Sequence, residues 1–235
     1  RHGWDIQKDW IIQTNGVVQT LYASVRAFTQ PGDNVLLLTP VYYPFYRAVN
    51  LNGRKVVESP IRLVEGRYEV DFDDFEEKAK QCKMFLLCSP HNPMGRVWSE
   101  EELCRMGDIC LKHNVLVVSD EIHFDIIMPG HKHVSYPTLG EKYANNCVMC
   151  CAASKTFSLA GLCVANAFIP NSELRDKLNN EVNISGCYTY SIFGLRALEA
   201  GYMKCAEWVD QLNEHIWGNY LYFKEFMAKH FPEVW

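Results

Sequence analysis

Met84-Phe85-Leu86-Leu87-Cys88 is an unbroken apolar run, and Val115-Leu116-Val117-Val118-Ser119 is a second, nearly continuous one. Between them stands Ser99-Glu100-Glu101-Glu102. This reads as a capping box, with serine at the N-cap and glutamate at the third helical position, opening a helix that runs to about His113. Short continuous apolar runs on either side of an amphipathic helix describe a strand–helix–strand unit whose strands are covered on both faces. That pattern belongs to parallel sheets. It extends outward, with further strand candidates at residues 35–38, 55–57, 147–152 and 164–169. A helix over residues 17–29 is closed by the turn Gln30-Pro31-Gly32-Asp33. The expected fold class is therefore α/β, a mostly parallel sheet flanked by helices.

Beyond Pro170 the strands stop. Residues 172–182, 191–204 and 206–230 all read as helices, so a helical carboxyl-terminal segment follows the sheet. In the last of them Trp208, Leu212, Ile216, Tyr220, Phe223, Met227 and Phe231 recur every three or four residues. A stripe of that period is expected to pack in the core. The sequence then runs out through Pro232-Glu233-Val234-Trp235 with no strand to follow.

Composition narrows the function classes. Against the roughly 150 residues typical of a domain, 235 residues make one large domain, or one and a half. Hydrophobic residues at 48% and charged residues at 22% exclude wholesale disorder. Lysine and arginine number 23 against 28 acids, a net charge of −5, so no basic footprint argues for a nucleic-acid partner. No apolar run is long enough to span a bilayer and no signal-peptide pattern opens the chain, so no membrane partner and a cytoplasmic location are expected. The opening residue is Arg1 rather than an initiator methionine, which hints at a fragment. Ten cysteines are scattered along the chain, several within apolar runs (Cys88, Cys110, Cys163). Reduced, buried thiols are the expectation. Cys147, Cys150 and Cys151 read as part of a buried strand rather than a zinc or redox pair. His131 and His133 lie in a Pro-Gly loop and are expected to face solvent; no metal is expected.

In an open parallel sheet, ligands bind beyond the carboxyl ends of the strands. The residues just past each run are Thr39-Pro40-Val41-Tyr42-Tyr43, then Ser89-Pro90-His91-Asn92-Pro93-Met94-Gly95, then Asp120, Glu121 and His123, then Ser154 and Lys155. An aromatic ring, an amide, a carboxylate with an imidazole, and a lysine thus share one crevice. Such a set suits an aromatic cofactor bound covalently through lysine, and the requirements of pyridoxal 5'-phosphate match it. That cofactor needs an amine for its aldehyde, a carboxylate against its ring nitrogen and a donor beside its ring oxygen. It also needs a flat side chain over the ring and helix-terminal amides for its phosphate. Asn15-Gly16-Val17-Val18-Gln19, a glycine turn entering a helix, supplies the amides.

Asn92-Pro93-Met94-Gly95, Asp120-Glu121-Ile122-His123 and Ser154-Lys155-Thr156-Phe157, in that order, resemble the class I/II aminotransferase superfamily of fold-type I pyridoxal enzymes. More narrowly, residues 89–98, 119–123 and 154–162 resemble its cystathionine β-lyase-like carbon–sulfur lyase subgroup. The resemblance implies that Lys155 holds the cofactor and shuttles a proton, and that Asp120 pairs with the ring nitrogen. Asn92 would bond the ring oxygen, and His123 stands where most aminotransferases have tyrosine. Tyr42 would stack on the ring, with Tyr43 and Tyr46 as competitors, and the amides of Val17 and Val18 would hold phosphate. It further implies a small amino-acid substrate and a homodimer. Two positions depart from the family: Ala152 stands where many relatives have a phosphate-binding serine, and Cys163 where many have arginine. Ser154 is the alternative phosphate ligand. By the same resemblance, residues 1–205 form a cofactor-binding large domain, and residues 206–235 a connecting helix towards a small domain that the sequence does not contain. The expected activity is β-elimination from a sulfur amino acid or transamination. The rival expectation is a non-catalytic binding or interaction module.

Overall fold

A computed structural model describes residues 2–233. In chain order the elements are β1 (Ile11–Thr14), α1 (Val17–Phe28), β2 (Asn34–Thr39), α2 (Pro44–Asn50), β3 (Lys55–Pro60), β4 (Arg62–Val64), β5 (Arg67–Glu69) and α3 (Phe72–Ala79). There follow β6 (Met84–Cys88), α4 (Glu100–Lys112), β7 (Leu116–Asp120), α5 (Glu141–Ala144), β8 (Cys147–Cys151), α6 (Ala153–Thr156) and β9 (Ala165–Phe168). Three helices close the chain: α7 (Ser172–Ile184), α8 (Ile192–Lys204) and α9 (Ala206–His230). Seven strands form one sheet in the order β1-β9-β8-β7-β6-β2-β3. The five strands from β3 to β8 run parallel, while β9 is antiparallel to both β8 and β1. Strand β1 therefore points the same way as the parallel set.

The continuous apolar runs are explained by burial on both faces. Alternate residues of each strand face opposite ways. Val35, Leu37, Leu86, Val118 and Val148 pack with Leu21 and Val25 of α1 and Leu178 and Val182 of α7. Leu36, Leu38, Phe85, Leu87 and Val117 pack with Phe75 of α3 and Leu103 and Met106 of α4. The capping box forms in full: Glu102 N–H donates to Ser99 Oγ at 3.2 Å, and Ser99 N–H donates to Glu102 Oε2 at 2.9 Å. Helix α4 approaches the Tyr136 and Tyr143 rings so closely that a Cβ on Gly107 would sit 2.6 Å from Tyr143 Cδ1 and 2.7 Å from Tyr136 Oη. Gly107→Ala is therefore expected to destabilise the fold by about 1–3 kcal/mol, the cost typical of overpacking. A chemical-denaturation midpoint lowered at unchanged slope is the check.

The structure differs from the sequence reading at five points. Strand β1 was not expected, because four residues at a sheet edge carry too weak a pattern. The hairpin β4–β5 was also not expected; it turns through Glu65 and Gly66, both at positive φ. His133 is buried rather than solvent-exposed, because Glu121 holds its ring. The stripe on α9 is not core: among the described residues of that helix only Val209 is buried, and Phe223 is 58% exposed. Its period is helical, yet only its start is covered: the Trp208 ring lies 5.9 Å from that of Phe157, while Tyr220, Phe223 and Phe231 stay exposed. Val234 and Trp235, the end of the expected connecting helix, and Arg1 lie outside the described residues. Every cysteine is a free thiol. Cys88, Cys110, Cys147, Cys150 and Cys151 are buried as expected, whereas Cys163 is exposed, because it stands in a left-handed turn before β9. Among the described residues no helix is long and apolar enough to cross a membrane.

Candidate functional site

Register brings the expected groups to one edge of the sheet. Cys88 pairs with Asp120 and Asp120 with Cys150, so the chain leaves β6, β7 and β8 side by side. Ser89 N–H donates to the Asp120 carbonyl at 2.9 Å, and Glu121 N–H to the Cys150 carbonyl at 2.8 Å. These bonds zip the first residue of each loop to its neighbour strand. Strand β1 ends at the same edge, since Thr14 pairs with Ala165 and Cys151 with Asn166 on β9. The unexpected edge strand is what delivers Val17 and Val18, at the start of α1, to the loops that follow β7 and β8.

Asp120 is 5% exposed, and among the described residues no cation lies within ion-pair distance of it. Its Oδ1 accepts from Ile122 N–H at 3.1 Å. Burial pushes its carboxyl up to about 7; the Ile122 amide and the Lys155 ammonium oppose the rise, and the Glu121 charge adds to it. Lys155, exposed on the short helix α6, is within electrostatic reach of both Asp120 and His123. Burial, and after it the Lys155 charge, hold the His123 imidazole below its usual value. Tyr42 N–H donates to the Asn92 carbonyl at 3.0 Å, joining the loops after β2 and β6. Burial, then the Tyr43 and Asp120 charges, raise the Tyr42 phenol. Tyr42, Asn92, Asp120, His123 and Lys155 thus occupy adjoining loops at one edge.

The loop of Asn92 is braced from beneath. Trp98 Nε1–H donates to the Cys88 carbonyl at 2.9 Å, and Arg96 stacks over the Trp98 ring at 4.5 Å while pairing with Glu102. His91 is buried edge-on to Trp98; burial first, with the Arg96 charge adding and the Leu38 carbonyl opposing, lowers it to about 4. It is therefore a neutral packing group near pH 7. Two further carboxylates lie beside Asp120: Glu121, which the sequence places past the strand without a role, and Asp125, which the sequence reading does not single out. Glu121 is fully buried; it accepts from Ser119 Oγ and Tyr136 N–H, each at 2.9 Å, and lies 2.9 Å from His133 Nε2. Asp125 is also buried and accepts from Thr156 Oγ1 at 2.9 Å. The available signal was the density of acids in Asp120-Glu121-Ile122-His123-Phe124-Asp125 directly after an apolar strand.

At the start of α1, Gly16 is the N-cap and contributes no side chain, so the first-turn amides have no side-chain acceptor. Beside them Asn15 Oδ1 and both amide atoms of Gln19 are buried without a hydrogen-bond partner, as is Ser89 Oγ after β6. Buried polar atoms left unpaired cost free energy, and they cluster where sites await a polar ligand. Ala152, at the N-cap of α6, is buried in the core, and Cys163 stands in a left-handed turn. An amine, a buried carboxylate lacking a cation, an aromatic ring and an anion-receptive helix start fit a flat, cationic heterocycle that carries a reactive carbonyl and an anionic arm.

The chain matches the family Aminotransferase class I and II over residues 2–233. It is 41% identical to cystathionine β-lyase PatB of Bacillus subtilis, an alignment covering 100% of this chain and 61% of that protein. It is 30% identical to protein MalY of Escherichia coli, covering 100% and 60%. Among solved structures it superposes on cystalysin from Treponema denticola, which contains pyridoxal 5'-phosphate, with a TM-score of 0.97 at 40% identity, covering 99% of this chain and 60% of that one. The pyridoxal-phosphate-bound carbon–sulfur lyase from Staphylococcus hominis gives a TM-score of 0.93 at 32% identity, covering 99% and 59%. The chain spans about 60% of the length of these relatives.

Proposed function

Because the chain belongs to the class I and II aminotransferase family, we propose that it is the cofactor-binding portion of a pyridoxal 5'-phosphate enzyme that cleaves the carbon–sulfur bond of a small amino acid. Substrates of the cystathionine or cysteine type would yield pyruvate, ammonia and a thiol. The observation that carries this reading is the buried carboxylate of Asp120, which among the described residues has no cation within ion-pair distance and lies within electrostatic reach of Lys155. Bound pyridoxal phosphate supplies an electron-accepting ring for the carbanion formed when a substrate Cα loses its proton.

The chain's own residues divide the work. Lys155 would hold the cofactor covalently through Nζ, and the same amine, once the substrate's amino group has displaced it from the cofactor, would take the proton from the substrate Cα. Asp120 keeps a proton on the ring nitrogen; the pairing offsets the burial that otherwise raises its own carboxyl. Asn92 would hold the ring oxygen and Tyr42 would cover the ring face. His123, held below its usual value by burial, is a neutral imidazole at the same edge. The first-turn amides of Val17 and Val18 take the phosphate, with Gln19 and Asn15 as candidate side-chain partners. The 206–235 segment, of which Val234 and Trp235 lie outside the described residues, would connect this portion to a further domain. Ile184, Tyr188, Ile192, Phe193 and Met203 are exposed apolar side chains on or between α7 and α8, which favours a homodimer that covers them. Free buried thiols favour a reducing cytoplasm.

Incubating the whole protein with cystathionine, without any keto acid, tests the reading. Pyruvate and ammonia are expected. Strict dependence on a keto-acid acceptor makes the enzyme a transaminase and overturns the lyase assignment.

A further inference from the structure

Helix α6 carries Lys155, yet it is only four residues long and has no side-chain cap. A single turn of helix is unstable alone, so its position must be imposed from outside. The segment after it includes Ser158 and Cys163, two non-glycine residues at positive φ, a conformation that persists only where the surroundings hold it. Helix α8 grips one side. Gly194 and Gly201 lie on one helix face; a Cβ on Gly201 would meet the Phe157 ring at 2.8 Å, and one on Gly194 would meet Val164 Cγ2 at 2.5 Å.

The other side is held by Asp125. This carboxylate is 3% exposed and gathers four separate segments. Its Oδ2 accepts from Thr156 Oγ1 at 2.9 Å and from the Tyr202 hydroxyl at 3.4 Å. Its Oδ1 lies 2.9 Å from His2 Nε2, and its backbone carbonyl accepts from Asn213 Nδ2 at 2.9 Å. Tyr202 in turn sits edge-on to Phe157 at 5.2 Å. Thr156 directly follows Lys155, and Asp125 lies on the loop that leaves β7 at Asp120 and carries His123. One hydrogen bond therefore ties the lysine-bearing turn to the loop that carries its electrostatic partners.

We propose that Asp125, acting through the Thr156 hydroxyl, is a positioning residue that holds Lys155 in register with Asp120. This rests on the covalent role assigned to Lys155 above. Neither Asp125 nor Thr156 touches the reacting atoms in this scheme. Because the pair is buried, losing the Thr156 donor leaves a buried carboxylate oxygen with one hydrogen bond fewer, and that loss is costly.

The test compares Thr156→Val, which keeps the shape and removes the donor, with Thr156→Ser, which keeps the donor, in the whole protein. Pyridoxal phosphate affinity and the pH midpoint of the visible band of the bound cofactor are measured beside Tm. Thr156→Val is expected to weaken cofactor binding by about tenfold and to displace the midpoint, while Thr156→Ser stays near the native values. Native-like affinity and midpoint in Thr156→Val, whatever its Tm, overturn the proposal. So does an equal defect in Thr156→Ser. Should Thr156→Val fail to fold, Ser and Cys at this position make the same comparison in side chains of similar size, since a thiol is only a weak donor. A native protein with no visible band overturns the assignment of Lys155 itself; a native band that Thr156→Val leaves untouched overturns this inference alone.

Discussion

Lys155→Ala in the whole protein is expected to lose the visible absorption that marks covalently bound pyridoxal phosphate, and to lose turnover by a factor on the order of 10⁴ or more, as removal of a reacting group from a concerted set does. Two roles disappear with one amine: the attachment point and the base that serves the substrate Cα. Folding is expected to be unaffected, because the side chain is exposed on α6 and is not part of either core cluster. Loss of activity without a fall in Tm separates this variant from one that merely loosens the site. Retained turnover in Lys155→Ala, or a visible band that survives it, contradicts the assignment.

Asp120→Asn is expected to act in opposite directions on the two states of the protein. In the cofactor-free form, burial raises this carboxyl from 3.8 to about 7, so the native state keeps a proton that the unfolded chain has already released. Native stability from this group is therefore greatest near pH 4 and declines as the pH rises towards 7. Above that, the buried charge costs on the order of 4 kcal/mol. The amide removes that cost, so cofactor-free Asp120→Asn should melt above the native protein at pH 8, with the difference vanishing near pH 4. With cofactor bound the sign reverses. The ring nitrogen loses its counter-charge, and breaking a buried ion pair on one side costs about 3–5 kcal/mol, which reduces turnover by roughly 10²- to 10⁴-fold. Melting curves of the cofactor-free proteins across pH 4 to 8, set beside steady-state rates, decide it. A variant that is less stable than native at pH 8 without cofactor, or as active as native with it, contradicts the account.

Much of this architecture was legible because the sheet is covered on both sides. Unbroken runs such as Met84–Cys88 have no other common explanation when a capped amphipathic helix follows them, and the strand ends then located Asp120 and Lys155 directly. The edges were not legible. Strand β1 is four residues long with mixed polarity, and its importance lies in the direction it gives to Val17 and Val18, which local pattern does not encode. The helical stripe on α9 was legible as a helix but not as an exposed one, since periodicity reports that an apolar face exists and not what covers it. Glu121 and Asp125 were present in plain view beside Asp120. Their burial depends on His133, Thr156 and Tyr202 arriving from distant parts of the chain, and no spacing rule brings those together.

The most direct test is peptide mapping by mass spectrometry after borohydride reduction of the native, cofactor-loaded protein. A pyridoxyl-phosphate adduct on the peptide containing Lys155, and on no other lysine, is the expected result. An unmodified Lys155 peptide, or an adduct carried by another lysine, contradicts the account.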